Sequence, residues 1–196
     1  ASSHPPQLEI LSETKDPTRV QPHLGKVFDG LAKLEFTATN AIVAMYSAEG
    51  EKISFGGVEV ICSSLVEEWL TGVENNMYKS VERVALESLA DYNKSDRVEW
   101  VTKWPGQIII LVGQMDWTKQ IEDCLMDSAT GNARLKEFHK KTIADVEGLV
   151  ALVRGDIPKL VRKAVSPLVV IDVHARDVVA EMGKNGVTSD KDFDWL

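Results

Sequence analysis

The longest unbroken helical pattern in the chain lies between Ser64 and about Asp91, where Val66, Leu70, Val73, Met77, Val81 and Val84 recur at spacings of four and three with Trp69 beside them. At 3.6 residues per turn these positions form one apolar stripe, and Glu68, Asn75, Lys79 and Glu82 fall on the opposite, wet face. Ser64 and Glu67 have the Ser-x-x-Glu spacing of a capping box, which predicts the helix start. Roughly 27 residues at about 1.5 Å rise make a rod of about 40 Å. Burying the stripe is worth roughly 10 to 20 kcal/mol gross, most of it consumed by ordering the backbone, so this helix needs partners. Gly72 and Asn75-Asn76 are weak helix formers placed on its exposed side, and they predict a bend.

The partners follow along the chain. Residues 1–7 are polar and Pro-rich, which predicts a disordered or non-native tail ahead of Leu8, Ile10 and Leu11. Pro22 stands where a first helical turn tolerates it, before Leu24, Val27, Phe28 and Leu31 on one helical face. From Leu34 to Phe55 the period changes: Ile42, Val43, Met45 and Tyr46, then Ile53 and Phe55, flank the turn-like Ala48-Glu49-Gly50 and predict one small β-hairpin between about Ala41 and Phe55. Ser95 is expected to cap a short helix carrying Val98, Val101 and Trp104, which Pro105 ends. The next helix carries Ile108, Ile109, Leu111, Val112, Met115, Ile121 and Leu125, apolar almost all round in its first half and so expected in a core.

Gly131-Asn132 separates it from a helix with the stripe Leu135, Phe138, Thr142, Val146, Leu149 and Val153, closed by Gly155, with Lys140, Lys141 and Asp145 facing out. A last helix runs from Pro158 to about Met182 with a kink at Ser166-Pro167, and Gly183 to Gly186 end it. Ser189-Asp190-Lys191-Asp192 has the look of a cap for a further helix. The fold class expected is mainly α, an elongated antiparallel helical bundle with one small β-hairpin. The domain organisation expected is a tail at 1–7, the bundle at 8–182 and a connector at 183–196.

Charge and composition narrow the function. A net charge of −8 and a pI near 5.1 argue against nucleic acid or an anionic membrane as main partner. Cys62 and Cys124 are too few for a disulfide scaffold or a zinc site and read as core thiols in a reducing compartment. No apolar run approaches the roughly 18 residues of a membrane span, so a soluble protein is expected. The opening Ala-Ser-Ser-His-Pro-Pro and the ending Asp194-Trp195-Leu196 read as those of an excised fragment.

Candidate chemistry is sparse. Gly25-Lys26 lacks the earlier glycine and following hydroxyl of a phosphate loop, since Val20 and Val27 stand there, and Gly56-Gly57 lacks the spaced glycines of a dinucleotide site. The polar cluster with most to offer is Asp172, His174, Arg176 and Asp177. His174, Asp177 and Glu181 share a helical face, but a metal site there would need a second His or Cys, and His23 and His139 sit elsewhere. A Ser166-His174-Asp177 triad lacks a nucleophile elbow. The structural reading is stronger: Asp172 and Arg176 at i, i+4 form a helical ion pair, and Arg176 with Asp177 anchors a neighbouring element. Among the five tryptophans, most are core anchors, and Trp69, Trp104 and Trp195 are kept as candidates for an interface.

Five stretches carry a resemblance: Leu8 to Leu24 (LEILSETKDPTRVQPHL), Phe28 to Phe36, Met45-Tyr46-Ser47-Ala48-Glu49, Trp104-Pro105-Gly106-Gln107, and Val170 to Val179 (VIDVHARDVV). Together they resemble the linker region of dynein heavy chains that precedes the first AAA+ module, with a leaning to the axonemal inner-arm type. The resemblance implies a noncatalytic helical arm that lies across the AAA+ ring of the same heavy chain and bends as the ring cycles, in the cytoskeleton of the cilium or flagellum axoneme. It implies no cofactor in this segment, with ATP and Mg bound elsewhere in the parent motor, and microtubule contact only through distant parts. Pro167 and the first seven residues depart from the family pattern. The rival readings are a free-standing helical scaffold and a small metal-dependent enzyme centred on His174.

Overall fold

The computed structural model describes residues 16–126 and 129–195. The readings placed on residues 1–7 and on Leu8, Ile10 and Leu11 lie outside them. The chain is mainly helical with one small antiparallel sheet, and it divides into two compact units, 1–84 and 85–196.

In the first unit a 3-10 turn, Pro17–His23, passes into a single turn of helix α1, Leu24–Val27. The helix expected through Leu31 stops early because Phe28 is extended and Gly30 takes φ 77°, a left-handed conformation that glycine adopts without strain. The single hairpin expected is in fact part of a four-stranded sheet: β1 Lys33–Phe36, β2 Ala41–Tyr46, β3 Lys52–Ser54 and β4 Val60–Ile61. β2 is central, with β1 antiparallel along one side and β3 and β4 on the other. The β1–β2 register shifts between Glu35 and Phe36, leaving Val43 as the extra residue of a bulge. The turn between them places Asn40 at φ 59°, a conformation asparagine tolerates better than most side chains.

The open edge of β1 is closed by a side chain. The Gln21 amide donates to the Leu34 carbonyl at 2.7 Å and accepts from the Leu34 N–H at 3.0 Å, as a neighbouring strand would. The long helix predicted from periodicity is present as α2, Val66–Tyr92. Its stripe residues Val66, Trp69 and Val73 join Leu24, Leu34, Ile42, Phe55 and Val60 in the core of the first unit. The hydroxyl that bonds at its start is that of Ser63, which accepts from the Leu65 N–H at 3.3 Å and meets Glu68 at the same distance, one residue before the capping position expected. Gly72 is not on the outer face: a Cβ there would meet Val60 at 3.1 Å, so glycine allows the helix close approach to β4.

The second unit takes the last part of α2 and four further helices: α3 Arg97–Trp100, α4 Gly106–Leu125, α5 Gly131–Arg154 and α6 Lys159–Asn185. α4, α5 and α6 pack on one another, and Ile121, Leu125, Leu135, Phe138, Val179 and Met182 form a core at one end. The cap of α3 is Asp96, whose carboxylate accepts from the Val98 N–H at 2.9 Å, and Ser95 bonds back to Asp91 instead. Gly131 begins α5 instead of preceding it, packed where a Cβ would meet the Thr188 and Cys124 carbonyls. α6 stays one helix through Pro167, with the Ser166 hydroxyl donating to the Arg162 carbonyl at 2.7 Å, and it ends at Asn185 under a left-handed Gly186. Residues 188–195 form turns, in which the Asp192 carboxylate accepts from the Thr188 and Ser189 N–H groups. No helix among the described residues is long and apolar enough to cross a membrane.

Replacing Gln21 by Leu leaves a part-buried N–H and carbonyl of Leu34 unpaired, and the first unit is expected to lose about 1 to 3 kcal/mol. Urea unfolding monitored at Trp69, the tryptophan of that unit, measures it.

Candidate functional site

The second unit gathers its charged groups around Arg97, at the first position of α3. Trp100, one turn on, has no exposed surface and anchors this short helix: its indole Nε1 donates to the Ser88 carbonyl and hydroxyl, both at 3.1 Å, and the Tyr92 ring meets it edge-on with centroids 4.7 Å apart. With α3 held so, the Arg97 side chain turns inward and is only 14% exposed. One Nη donates to the Tyr92 hydroxyl at 2.8 Å, the other to Asp172 of α6 at 2.5 Å, and Cζ lies 5.8 Å from the Tyr92 ring centroid. The Asp172 side chain is 11% exposed, so the pair is largely removed from water.

Around this pair is a cleft of about 30 Å³, lined among others by Asp116 of α4 and Asp145 and Lys141 of α5. Three carboxylates thus share a small volume with two cations. Burial opposes the charge on Arg97, but Asp172, Tyr92 and Asp145 outweigh it, and its pKa stands above the ordinary value. Burial pushes the Tyr92 phenol up to about 12 against the opposing effect of Arg97. Burial likewise raises the Asp145 carboxyl, Arg97 and Lys141 counteract it, and the negative charges of Asp172 and Asp116 reinforce it. Arg97 Nε and Trp117 Nε1 are buried and make no hydrogen bond within the described protein. No group of three or more His, Cys, Asp or Glu side chains among the described residues has the geometry of a metal site.

The cluster expected on α6 is split by this arrangement. Asp172 pairs with Arg97 across elements and not with Arg176 along its own helix. Arg176 instead donates to its neighbour Asp177, through Nε at 2.9 Å and Nη at 2.7 Å, and among the described residues anchors no other element. That pair is 31% and 60% exposed, a regime in which ion pairs contribute little. His174 is exposed. Asp145, expected on the outer face, is half-buried in the cleft.

The three tryptophan candidates also separate. Trp69 is 3% exposed and belongs to the core of the first unit, a structural anchor. Trp104 is half-buried with its Nε1 donating to Asp91 at 2.9 Å, and Ser95 and Trp104 together hold that carboxyl below its ordinary pKa. Trp195 is half-buried against Trp117, the two rings 6.1 Å apart. The residue that sequence reasoning missed is Arg97. Its only local signal was an arginine at the first position of a helix capped by aspartate, and its partner lies 75 residues away.

Comparison with known proteins gives the lineage. Residues 3–88 match the family model described as dynein heavy chain, N-terminal region 2. Over 198 aligned residues the chain is 46% identical to dynein axonemal heavy chain 12 of Rattus norvegicus, covering 99% of this chain and 6% of the relative. Over nearly its whole length the chain is similar to dynein heavy chains. It is also 42% identical to the human dynein axonemal heavy chains 3 and 1, over 96% of its length and 4% of theirs. The chain therefore spans a small part of the dynein heavy chains it matches. The family match begins at residue 3, which corrects the expectation that the first seven residues match nothing.

Two outcomes follow for this chain. Arg97→Met strands the Asp172 charge in a site 11% exposed and is expected to cost about 3 to 5 kcal/mol, whereas Arg97→Met with Asp172→Leu costs little, as measured by denaturant unfolding. Because the folded state binds the Asp145 proton more tightly than the unfolded chain, the stability it contributes falls as pH rises from the ordinary value of 3.8 through the raised one. Asp145→Asn is then expected to stabilise the protein at neutral pH, with the gain shrinking as unfolding is measured at pH values approaching 4.

Proposed function

We propose that this chain is part of the linker of an axonemal dynein heavy chain, a noncatalytic mechanical element that transmits nucleotide-dependent motion of the AAA+ ring towards the tail in ciliary and flagellar beating. The observation that carries the reading is 46% identity maintained over 99% of the chain, which ties both units, and not an isolated motif, to one kind of motor. The axoneme of cilium or flagellum is the location its relatives' names give. ATP and Mg belong to other parts of the heavy chain on this reading, because no lysine and hydroxyl occur together at a Gly-rich phosphate loop here. The AAA+ ring of the same chain is the partner, and microtubules are met only by distant segments.

Within the arm, the part we assign to holding geometry is the Arg97–Asp172 pair, in place of the exposed Arg176–Asp177 pair. Charge-assisted hydrogen bonds in a site sheltered from water fix α3 against α6 with defined direction, where apolar packing alone permits sliding. In the parent heavy chain the double substitution Arg97→Met, Asp172→Leu, chosen because it avoids a stranded charge, is expected to lower gliding velocity or force about two-fold or more while basal ATP turnover is retained. Unchanged velocity and force in a folded motor would remove the pair from this role. Calorimetric titration of the isolated segment with ATP is expected to give no saturable micromolar binding, and such binding would return the chemistry to this chain.

A further inference from the structure

We propose that the cleft beside Arg97 is a binding site for one ordered water molecule, which accepts from Arg97 Nε and Trp117 Nε1 and donates to the carboxylates of Asp145 and Asp116. The site deepens the reading of Arg97 as the residue that holds geometry, but it rests on the cleft itself and not on the motor.

The donors set the requirement. One Nη of Arg97 is met by the Tyr92 hydroxyl and the other by Asp172, which leaves Nε buried without a hydrogen-bond partner among the described residues. The indole Nε1 of Trp117 is in the same condition. Both residues line one cleft, together with Asp116, Asp145 and Asp172. A buried N–H without an acceptor forfeits the bonds it had in water, so two of them at one small space call for an occupant that accepts from both.

Size and charge select that occupant. A volume of about 30 Å³ exceeds the roughly 10 to 15 Å³ that a water needs and falls far short of the roughly 300 Å³ of a small-molecule pocket. An anion would satisfy the two donors but would face three carboxylates. Nor is there positive charge to spare for it: Asp172 already matches Arg97, and the exposed Lys141 has its Nζ over the Phe138 ring, 5.9 Å from the centroid. A cation would suit the carboxylates but would meet two N–H groups that offer it no lone pair. The Thr142 hydroxyl, also at the cleft, is engaged with the His139 carbonyl at 2.8 Å. Water has two lone pairs and two hydrogens, which answer two donors and two carboxylates.

Such a water extends the reach of one guanidinium. Arg97 of α3 directly bonds Tyr92 of α2 and Asp172 of α6. Through the water it also reaches Asp116 and Trp117 of α4 and Asp145 of α5, so every helix of the second unit is tied to the same side chain.

A high-resolution crystal structure of this chain tests the site. One ordered water is expected within about 2.7 to 3.2 Å of both nitrogens and of an oxygen of Asp145 or Asp116. Water-selective NMR on the ¹⁵N-labelled chain is expected to show transfer from water to the Arg97 Nε–H and Trp117 Nε1–H groups, with opposite signs in the laboratory and rotating frames, the mark of a held molecule. Trp117→Phe keeps a ring in place and removes one donor, and it is expected to weaken the transfer at Arg97 several-fold. A dry cleft, a bromide ion in place of the water in crystals grown with sodium bromide, or transfer at Arg97 indifferent to Trp117→Phe overturns the proposal. A water seen in a chain whose parent motor ignores the Arg97 and Asp172 substitutions supports the site while removing the mechanical role of that pair.

Discussion

A guanidinium cannot leave water without a partner, and that constraint organises the second unit. Arg97 is fully charged at any physiological pH, and its burial is possible because Asp172, the Tyr92 hydroxyl and the Tyr92 ring receive it. The requirement propagates outward. α3 is four residues long and could not hold a direction by its own hydrogen bonds, so Trp100 fixes it from below through Ser88. Asp172 must come from a particular level of α6, and Gly148 of α5, where a Cβ would meet Val98 at 3.1 Å, lets α5 approach α3 closely enough to complete the enclosure. Asp145 and Asp116 then share the cleft, where burial, reinforced by the negative charges of Asp172 and Asp116, raises the Asp145 pKa against Arg97 and Lys141.

The first unit solves a different problem, that of a small sheet with open edges. β2 is covered on both flanks, but β1 would present its backbone to solvent, and the Gln21 amide supplies the donor and acceptor of a missing strand. An amide does this where a carboxylate could not, because both a donor and an acceptor are required at one residue. The apolar core beneath is ordinary, formed by Leu24, Leu34, Ile42, Trp69 and Val73, all nearly free of solvent.

What could be read from the chain alone follows from how local each signal is. Helical periodicity is repeated over many turns, so α2, α4, α5 and α6 were legible, and so were the glycine that closes α5 and the residues that face its core. The strands β1 and β4 were not, since four and two residues show no alternation to count, and the only mark of the first turn was Asn40, whose left-handed backbone is visible in structure alone. The ion pairs were misread for a related reason. Spacing along a helix placed Arg176 one turn from Asp172, and the local rule favoured that pair. It has no term for Arg97, 75 residues away, which offers a drier and therefore stronger site. Asp145 was assigned outward by its charge, although the stripe leaves it at the border of the buried face.

The same comparison of environments bears on how a helical segment could carry load. Arg176 and Asp177 are adjacent on one helix and exposed, so rotating them about their bonds costs little and moves no other element. Arg97 and Asp172 sit on different helices with most of their surface removed from water, and separating them exposes a charge to a medium that cannot solvate it well until the helices part. Resistance therefore rises steeply with small displacements and is directional, set by the fork of the guanidinium. Apolar contacts between α5 and α6 resist separation but allow sliding at nearly constant buried area. A segment that must keep one geometry while strain passes through it needs both kinds of contact, the apolar stripe for cohesion and at least one buried, oriented ion pair for register.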